Sequence, residues 1–383
     1  MARDLLRWRV RRQTPMTVPS NPDGLREALL AWYADKRRDL PWRHTRDPYA
    51  IWVAEVMLQQ TQVATVIPYY RRFMERFPSV EDLAGASLDS VLAVWQGLGY
   101  YGRARNLHRA AALVCDRYHG RVPSDPEALR ALPGVGAYTT GAILSIAYGQ
   151  PVPALDANAI RVLARLLDLD ELPTRARARR ALETTAQAIL PADDPGRLNQ
   201  ALMELGAMVC TSKGPSCHDC PWSQHCLALV RGTVAERPVR PSRRPVPVKR
   251  FVGICLMDGA TVFLCRRRPS GLLGGLWEIP SVELSPHDDP LESAEALLGD
   301  LGLGCISLGD RQASISHPYS HFGVLLSLYR GSASGDPRAV SPWDRCAWIP
   351  LVELAAYGLT RLTSKALAEL EHAAPSDGQT PPA

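Results

Sequence analysis

No stretch of this 383-residue chain is long and apolar enough to cross a bilayer, and residues 1–21 lack the apolar core of a secretory signal. The expectation is a cytoplasmic protein with no membrane partner. The regular cysteine pattern of a disulfide-stapled exported domain is missing as well: Cys115, Cys255, Cys265, Cys305 and Cys346 are scattered singly, as reduced and mostly buried thiols are. Strand-like alternation is scarce from Pro22 to about Leu229, where amphipathic helical patterns rich in Ala and Leu follow one another across short polar breaks. The net charge of +5 is modest. Its arginines are nevertheless concentrated, at Arg3, Arg7, Arg9, Arg11 and Arg12 and again at Arg237, Arg240, Arg243, Arg244, Lys249 and Arg250. Such clusters suit a phosphate backbone, and they equally suit solvated tails and linkers.

A chain of this length with 46% hydrophobic residues can bury two ordinary cores. The proline-rich, basic run RPVRPSRRPVPVKR at 237–250 suits neither a helix nor a central strand and reads as a semi-rigid linker. The expected organisation is a basic arm at 1–21, an all-α domain at 22–230, a linker at 231–250, an α+β domain at 251–372 and a disordered tail at 373–383. In the second domain FVGICLM and TVFLCRRR form a hairpin turning at Asp258-Gly259, followed by the helical ESAEALLGDL and strands around GVLLSLYR and CAWIPL. Met16 is an alternative start.

Chemistry is suggested first by Cys210, Cys217, Cys220 and Cys226, with six, two and five residues between them. Thiolates so close in sequence point to a shared metal rather than a disulfide in a reducing compartment. Zinc favours two short pairs, whereas one short pair flanked by wider gaps resembles a loop around an iron–sulfur cubane.

Three further elements precede them. In DPYAIWVAEVMLQQTQV, Asp47 is a plausible cap, Pro48 enters the first turn, and Glu55 has Ile51 and Leu58 one helical turn away on either side. Apolar neighbours disfavour a charged carboxylate and prepare a general acid, although a lone glutamate is usually a solvated one. In LPGVGAYTTGAI, Gly134-Val135-Gly136 separate two helical patterns over about 126–145. The pattern is that of a helix–hairpin–helix turn open to a phosphate, or simply of a glycine-rich connection. In ALDANAIRVLARLL, Asp156 immediately precedes a helix, as an ordinary N-cap does.

Taken together, LPWR at 40–43, EVMLQQTQV at 55–63, GLGYYGRARNL at 97–107, LPGVGAYTTGAI at 132–143, LDANAIRVLAR at 155–165, NQALMELGAMVC at 199–210 and the four cysteines resemble the MutY-type adenine DNA glycosylases. These belong to the endonuclease III-like iron–sulfur superfamily. The resemblance spans the helical half. It implies one 4Fe-4S cluster, Glu55 as general acid and Asp156 as the carboxylate that stabilises a sugar cation. It further implies that Tyr138 and Asn158 line the site, that Trp42, Arg43, Leu58 and Gln200 surround an extruded base, and that Gln60 and Tyr100 fill the gap in the duplex. The implied partner is double-stranded DNA with adenine opposite 8-oxoguanine or guanine, bound by a monomer at a bacterial nucleoid.

Two departures sharpen the expectation. Superfamily members that also cut the backbone carry a lysine where this chain has Tyr138, and some adenine glycosylases carry one where it has Ile160. A monofunctional, hydrolytic enzyme follows. Residues 250–372 resemble the Nudix-like domain appended to adenine glycosylases, but LESAEALLGDLGL lacks the Arg-Glu and paired-Glu positions of the hydrolases, with Glu292, Glu295 and Asp300 the only acids within it. SHPYSHFGV at 316–324 matches the family loop that reads 8-oxoguanine through Tyr319, Ser320 and His321. Rival readings are an iron–sulfur glycosylase for thymine or oxidised pyrimidines, a non-catalytic DNA scaffold, and a DNA-tethered Nudix hydrolase.

Overall fold

The computed structural model describes residues 21–241, 245–319 and 321–373, with the backbone alone at 305, 306 and 371–373. The arginines of the amino-terminal arm, Arg243, Arg244 and Ser320 lie outside the described residues. The helical half runs α1 (Pro22–Lys36), α2 (Pro48–Leu58), α3 (Val63–Arg76), α4 (Val80–Gly85), α5 (Leu88–Trp95), α6 (Gly102–Tyr118), α7 (Pro126–Arg130), α8 (Ala137–Ile146), α9 (Ala157–Leu166), α10 (Ala176–Ile189), α11 (Pro195–Met208) and α12 (Leu227–Val230). Asp47 starts α2 as its pattern implied, accepting from the amides of Tyr49 (3.1 Å) and Ala50 (3.2 Å).

The chain forms two compact units, each described by itself. One comprises the described residues up to Trp52 with Ser124–Ala131 and those from Val135 to the linker. Its core interleaves Leu25 and Leu29 of α1, Val162 and Leu163 of α9, Leu182 and Ile189 of α10, and Leu198, Leu202 and Leu205 of α11. Each such side chain removed from water contributes roughly 1.5–3 kcal/mol. Trp222, between two of the four clustered cysteines, is buried in the same core and donates from Nε1 to the Leu25 carbonyl at 2.8 Å. That contact fastens the cysteine loop to α1.

The other unit contains Val53–Pro123, Leu132–Gly134 and the residues after the linker. Its helices close around Phe73, which meets Phe77 and Trp95 edge to face at 5.0 and 5.9 Å. The α+β part contains β1 (Val248–Asp258), β2 (Thr261–Arg267), β3 (Trp277–Glu278), β4 (Ser281–Leu284), α13 (Pro290–Asp300), β5 (Leu303–Pro318), β6 (Gly323–Gly335), β7 (Trp343–Pro350) and α14 (Arg361–Ala373). Strands lie in the order β3-β2-β1-β6-β5, with β4 on β1 and β7 on β2. The expected hairpin is present, with Asp258 opposite Thr261 and Gly259 in the left-handed region at φ 54°. Alternation along β1 sorts two faces. Val252, Ile254 and Leu256 join the core that includes Leu297 and Leu298 of α13, while Cys255 joins that of Ala366 from α14.

Within this unit α5 and α6 meet the α+β part directly. Arg105 of α6 donates to the Gly274 carbonyl at 2.8 Å, and Arg266 pairs with Asp89 of α5 at 3.7 Å. Gly358 lies so near α5 that a Cβ there would stand 2.7 Å from that of Leu92.

The linker differs from expectation at both ends. Val248, Lys249 and Arg250 already belong to β1, paired in parallel with Gly323, Val324 and Leu325 of β6, because the proline run stops at Pro247 and frees the following amides for the ladder. Arg237, one of the basic residues of the linker run, is buried and paired with Asp168 at 2.8 Å. The dispersed cysteines also differ in one respect: Cys265 and Cys346 are register partners on β2 and β7, with free thiols 2.7 Å apart.

Candidate active site and cysteine cavity

Glu55 sits on the last full turn of α2 and is 5% exposed, beside the buried Ala54, Val56 and Met57. Burial of a carboxylate costs free energy unless it is hydrogen-bonded, paired or protonated. Leu58 ends the same helix, partly buried.

Asp156 is the N-cap of α9, as its position implied. Its Oδ1 accepts from the Ala159 amide at 2.7 Å and its Oδ2 from Asn158 Nδ2 at 2.8 Å. Burial pushes its carboxyl above the usual aspartate range, while these donors and Arg161 pull it back part of the way. Asn158 is pinned in turn: Arg161 Nη2 donates to its Oδ1 at 2.7 Å, and the missing side chain of Gly206 on α11 leaves its backbone room, since a Cβ there would stand 2.6 Å from the Asn158 Cβ. Arg161 also reaches the carbonyls of Gly206 (2.6 Å) and Cys210 (2.7 Å). Asp156 and the cysteine loop are thus joined through two side chains.

Tyr138, in the first turn of α8, donates its hydroxyl to Met203 Sδ at 3.4 Å. The turn before α8 is open: Gly134 takes φ 78°, a Cβ there would meet Asn106 at 2.8 Å, and Gly136 has nothing within 4 Å of its added Cβ. Val135 between them is buried and anchors the turn. Gln60 and Tyr100 are exposed, and both occupy the left-handed region, at φ 59° and 49°.

Trp42 is buried in a one-turn helix, Pro41–Arg43. Arg43 does not present a free guanidinium; it donates to both oxygens of buried Glu204 (3.0 and 2.9 Å) and to the Arg38 carbonyl, and lies over the Tyr33 ring. Arg38 completes the set on Glu204 at 2.9 and 2.6 Å. Gln200 Oε1 accepts from Tyr33 at 2.9 Å. Glu204 and Arg161 were not singled out from sequence, although both lie inside the quoted motifs; the only signal was a charge at an otherwise helical core position.

The four cysteines line one cavity together with Arg165 and Pro215. Arg165, buried in α9, donates to Cys210 Sγ at 3.2 Å and to the Thr211 carbonyl at 2.7 Å. Among the described residues no three Cys, His, Asp or Glu side chains are placed to hold a single metal ion. A polynuclear cluster asks something different, because each thiolate takes its own iron. Burial pushes the Cys220 thiol up to about 12, so thiolates there require a cationic centre as counterpart. Four thiols around one cavity are the donors that could hold such a cluster.

In the α+β part, the Tyr319 amide donates to the Phe322 carbonyl at 2.8 Å, and His321 is exposed. Tyr319 is half-buried, and burial pushes its hydroxyl up to about 12. On α13, Glu292 and Glu295 are exposed to solvent. No helix among the described residues is long and apolar enough to cross a membrane.

Residues 53–188 match the HhH-GPD superfamily of base excision DNA repair proteins, and residues 251–369 match the NUDIX domain. The chain is 37% identical to an adenine DNA glycosylase of Mus musculus over 83% of this chain and 72% of that one. It is 33% identical to an adenine DNA glycosylase of Schizosaccharomyces pombe over 90% and 88% of the two. A thermostable thymine-DNA glycosylase structure superposes on 55% of this chain and 97% of its own, with a TM-score of 0.51 and 30% identity. Two relatives above 30% identity, matched over more than two thirds of their length, assign the family: this chain belongs to the adenine DNA glycosylases of base excision repair.

Proposed function

We propose that this adenine DNA glycosylase acts on double-stranded DNA carrying adenine opposite 8-oxoguanine or guanine, and that it leaves an intact strand with an abasic site. The observation that carries the reading is the pair of donors on Asp156: a carboxylate with one donor on each oxygen, at a helix start, is a fixed negative charge of the kind that stabilises a developing oxocarbenium ion. Glu55 delivers a proton to N7 of adenine, so that the base departs neutral as the C1′–N9 bond breaks. Water then adds to C1′ and its proton goes to the Glu55 carboxylate, which restores the acid. Asn158 orients Asp156, and Tyr138 packs beside the reacting sugar without offering an amine for a Schiff base.

Trp42, Leu58 and Gln200 surround the extruded base; Arg43 supports that wall through Glu204. Gln60 and Tyr100 occupy the space it leaves, offsetting part of the few kcal/mol that unstacking costs. The Gly134-Val135-Gly136 turn receives a phosphate on its backbone amides. Tyr319, Ser320 and His321 read the opposite base. Cys210, Cys217, Cys220 and Cys226 hold one 4Fe-4S cluster, whose part is to fix the loop that Trp222 anchors. The enzyme works as a monomer on the bacterial nucleoid.

The deciding experiment offers purified protein duplexes with adenine opposite 8-oxoguanine, guanine, cytosine or thymine, and a G·T mismatch, with and without alkali. Alkali-dependent cleavage of the adenine strand, fastest opposite 8-oxoguanine, is expected. Strand breaks without alkali, or release of thymine, would overturn the reading.

A further inference from the structure

A side chain penalises the left-handed backbone shared by Gln60 and Tyr100, and such a conformation persists only where surrounding contacts over-determine it. One residue supplies those contacts to both. Arg103, in the first turn of α6, donates from Nη1 to the carbonyls of Val56 (2.9 Å), Met57 (2.7 Å) and Gln59 (2.5 Å). From Nη2 it donates to Thr61 Oγ1 (3.1 Å) and to the carbonyls of Gly99 (3.2 Å) and Leu98 (3.5 Å). The Gln59 carbonyl belongs to the peptide that enters Gln60, and the Gly99 carbonyl to the peptide that enters Tyr100. One guanidinium therefore fixes the peptide plane ahead of each left-handed residue. Its Cζ also lies 5.4 Å from the ring centroids of Tyr100 and Trp95. A planar fork with donors at fixed angles spans both segments, which the single ammonium of lysine cannot do.

We infer that Arg103 is a positioning residue that joins the Gln60 and Tyr100 segments into one rigid wedge, so that extrusion of the base depends on it and bond cleavage does not. The inference rests on the reading of Gln60 and Tyr100 as the residues that fill the gap. It explains why two residues far apart in sequence adopt matching backbone conformations around one half-buried cation.

Extrusion is followed by the fluorescence of 2-aminopurine beside the target adenine, and cleavage by single-turnover product formation, for Arg103→Lys, Arg103→Gln, Gln60→Ala, Tyr100→Ala and the Arg103→Lys/Tyr100→Ala double variant. Arg103→Lys should slow the fluorescence phase about tenfold while leaving the pH profile of cleavage in place. Added to Tyr100→Ala it should cost less than about a further twofold, because both changes damage one wedge. Normal extrusion by Gln60→Ala and Tyr100→Ala would remove the wedge reading and this inference with it. Slow extrusion in those two variants with normal extrusion in both Arg103 variants would overturn the role of Arg103 alone. Failure of both Arg103 variants to fold would also overturn it, since Arg103 would then serve the core rather than the wedge.

Discussion

Asn158 holds one oxygen of Asp156 at 2.8 Å and is itself held at 2.7 Å by Arg161, which also donates to the carbonyls of Gly206 and Cys210. Both carboxylate oxygens are therefore engaged before any cation forms beside them on the proposed mechanism.

Asp156→Asn separates the cap from the charge. Asparagine caps a helix as well as aspartate does. Burial raises the folded-state pKa of Asp156 above 3.8, so the group favours the fold only while protonated and that contribution is lost as pH rises through the folded value. At neutral pH the variant should melt at the same or a higher temperature, while single-turnover excision falls on the order of 10²-fold. A lower melting temperature with unchanged excision would leave Asp156 as a cap only.

Glu55→Gln keeps the shape and hydrogen bonding of a residue only 5% exposed but removes its transferable proton. Duplex affinity should hold within a few-fold, and excision should fall by roughly 10²–10⁴. Near-normal excision would remove Glu55 from the role of acid.

Glu204 should govern acid stability. Burial works against its carboxylate, but the hydrogen bonds from Arg38 and Arg43 outweigh burial and hold it down to about 2. A depressed folded-state value means that the contribution is complete above 4.5 and is lost as pH falls from there to about 2. Glu204→Gln should cost about 2–3 kcal/mol at pH 7, discounted because Arg38 is partly in solvent, and should flatten the acid limb of a melting curve. An unshifted acid limb would refute this.

The cysteine cavity predicts a brown protein with iron and acid-labile sulfide in comparable amounts, and Cys217→Ser should lose both together with DNA affinity. Stoichiometric zinc without sulfide in anaerobically prepared protein would contradict the cluster.

His321→Ala should reduce the preference for 8-oxoguanine over guanine by about tenfold, within the 1–3 kcal/mol typical of one base contact, while adenine removal opposite guanine stays near normal. Equal losses on both duplexes would make the turn an affinity element instead of a reader.

The helices and the Asp258-Gly259 hairpin were legible because their signals are periodic and local, and so was the Asp156 cap, which needs only the four residues it spans. What stayed hidden depends on partners distant in the chain. Arg43 and Glu204 are 161 residues apart, and nothing in LPWR says that its arginine is already engaged by a buried glutamate. Arg103 sat inside a quoted motif, yet its role follows from carbonyl directions, which have no residue code. Arg237 looked like a linker cation until Asp168 supplied its counterion. The start of β1 was obscured because a parallel ladder leaves no turn signature beside it.

The contact between Gly358 and Leu92 bears on how the molecule can be dissected. Leu92 is fully buried with the α+β part in place, and Gly275 lies against Leu92 and Leu88 as well. A fragment ending in the linker would leave this leucine ridge of α5 facing water, beside an Arg105 stripped of its carbonyl partner. Such a fragment is apt to self-associate, and a fall in its measured rate would report lost soluble protein before lost recognition. Point changes in the Tyr319–His321 turn, which leave the ridge covered, are therefore the cleaner way to ask what the carboxy-terminal half contributes.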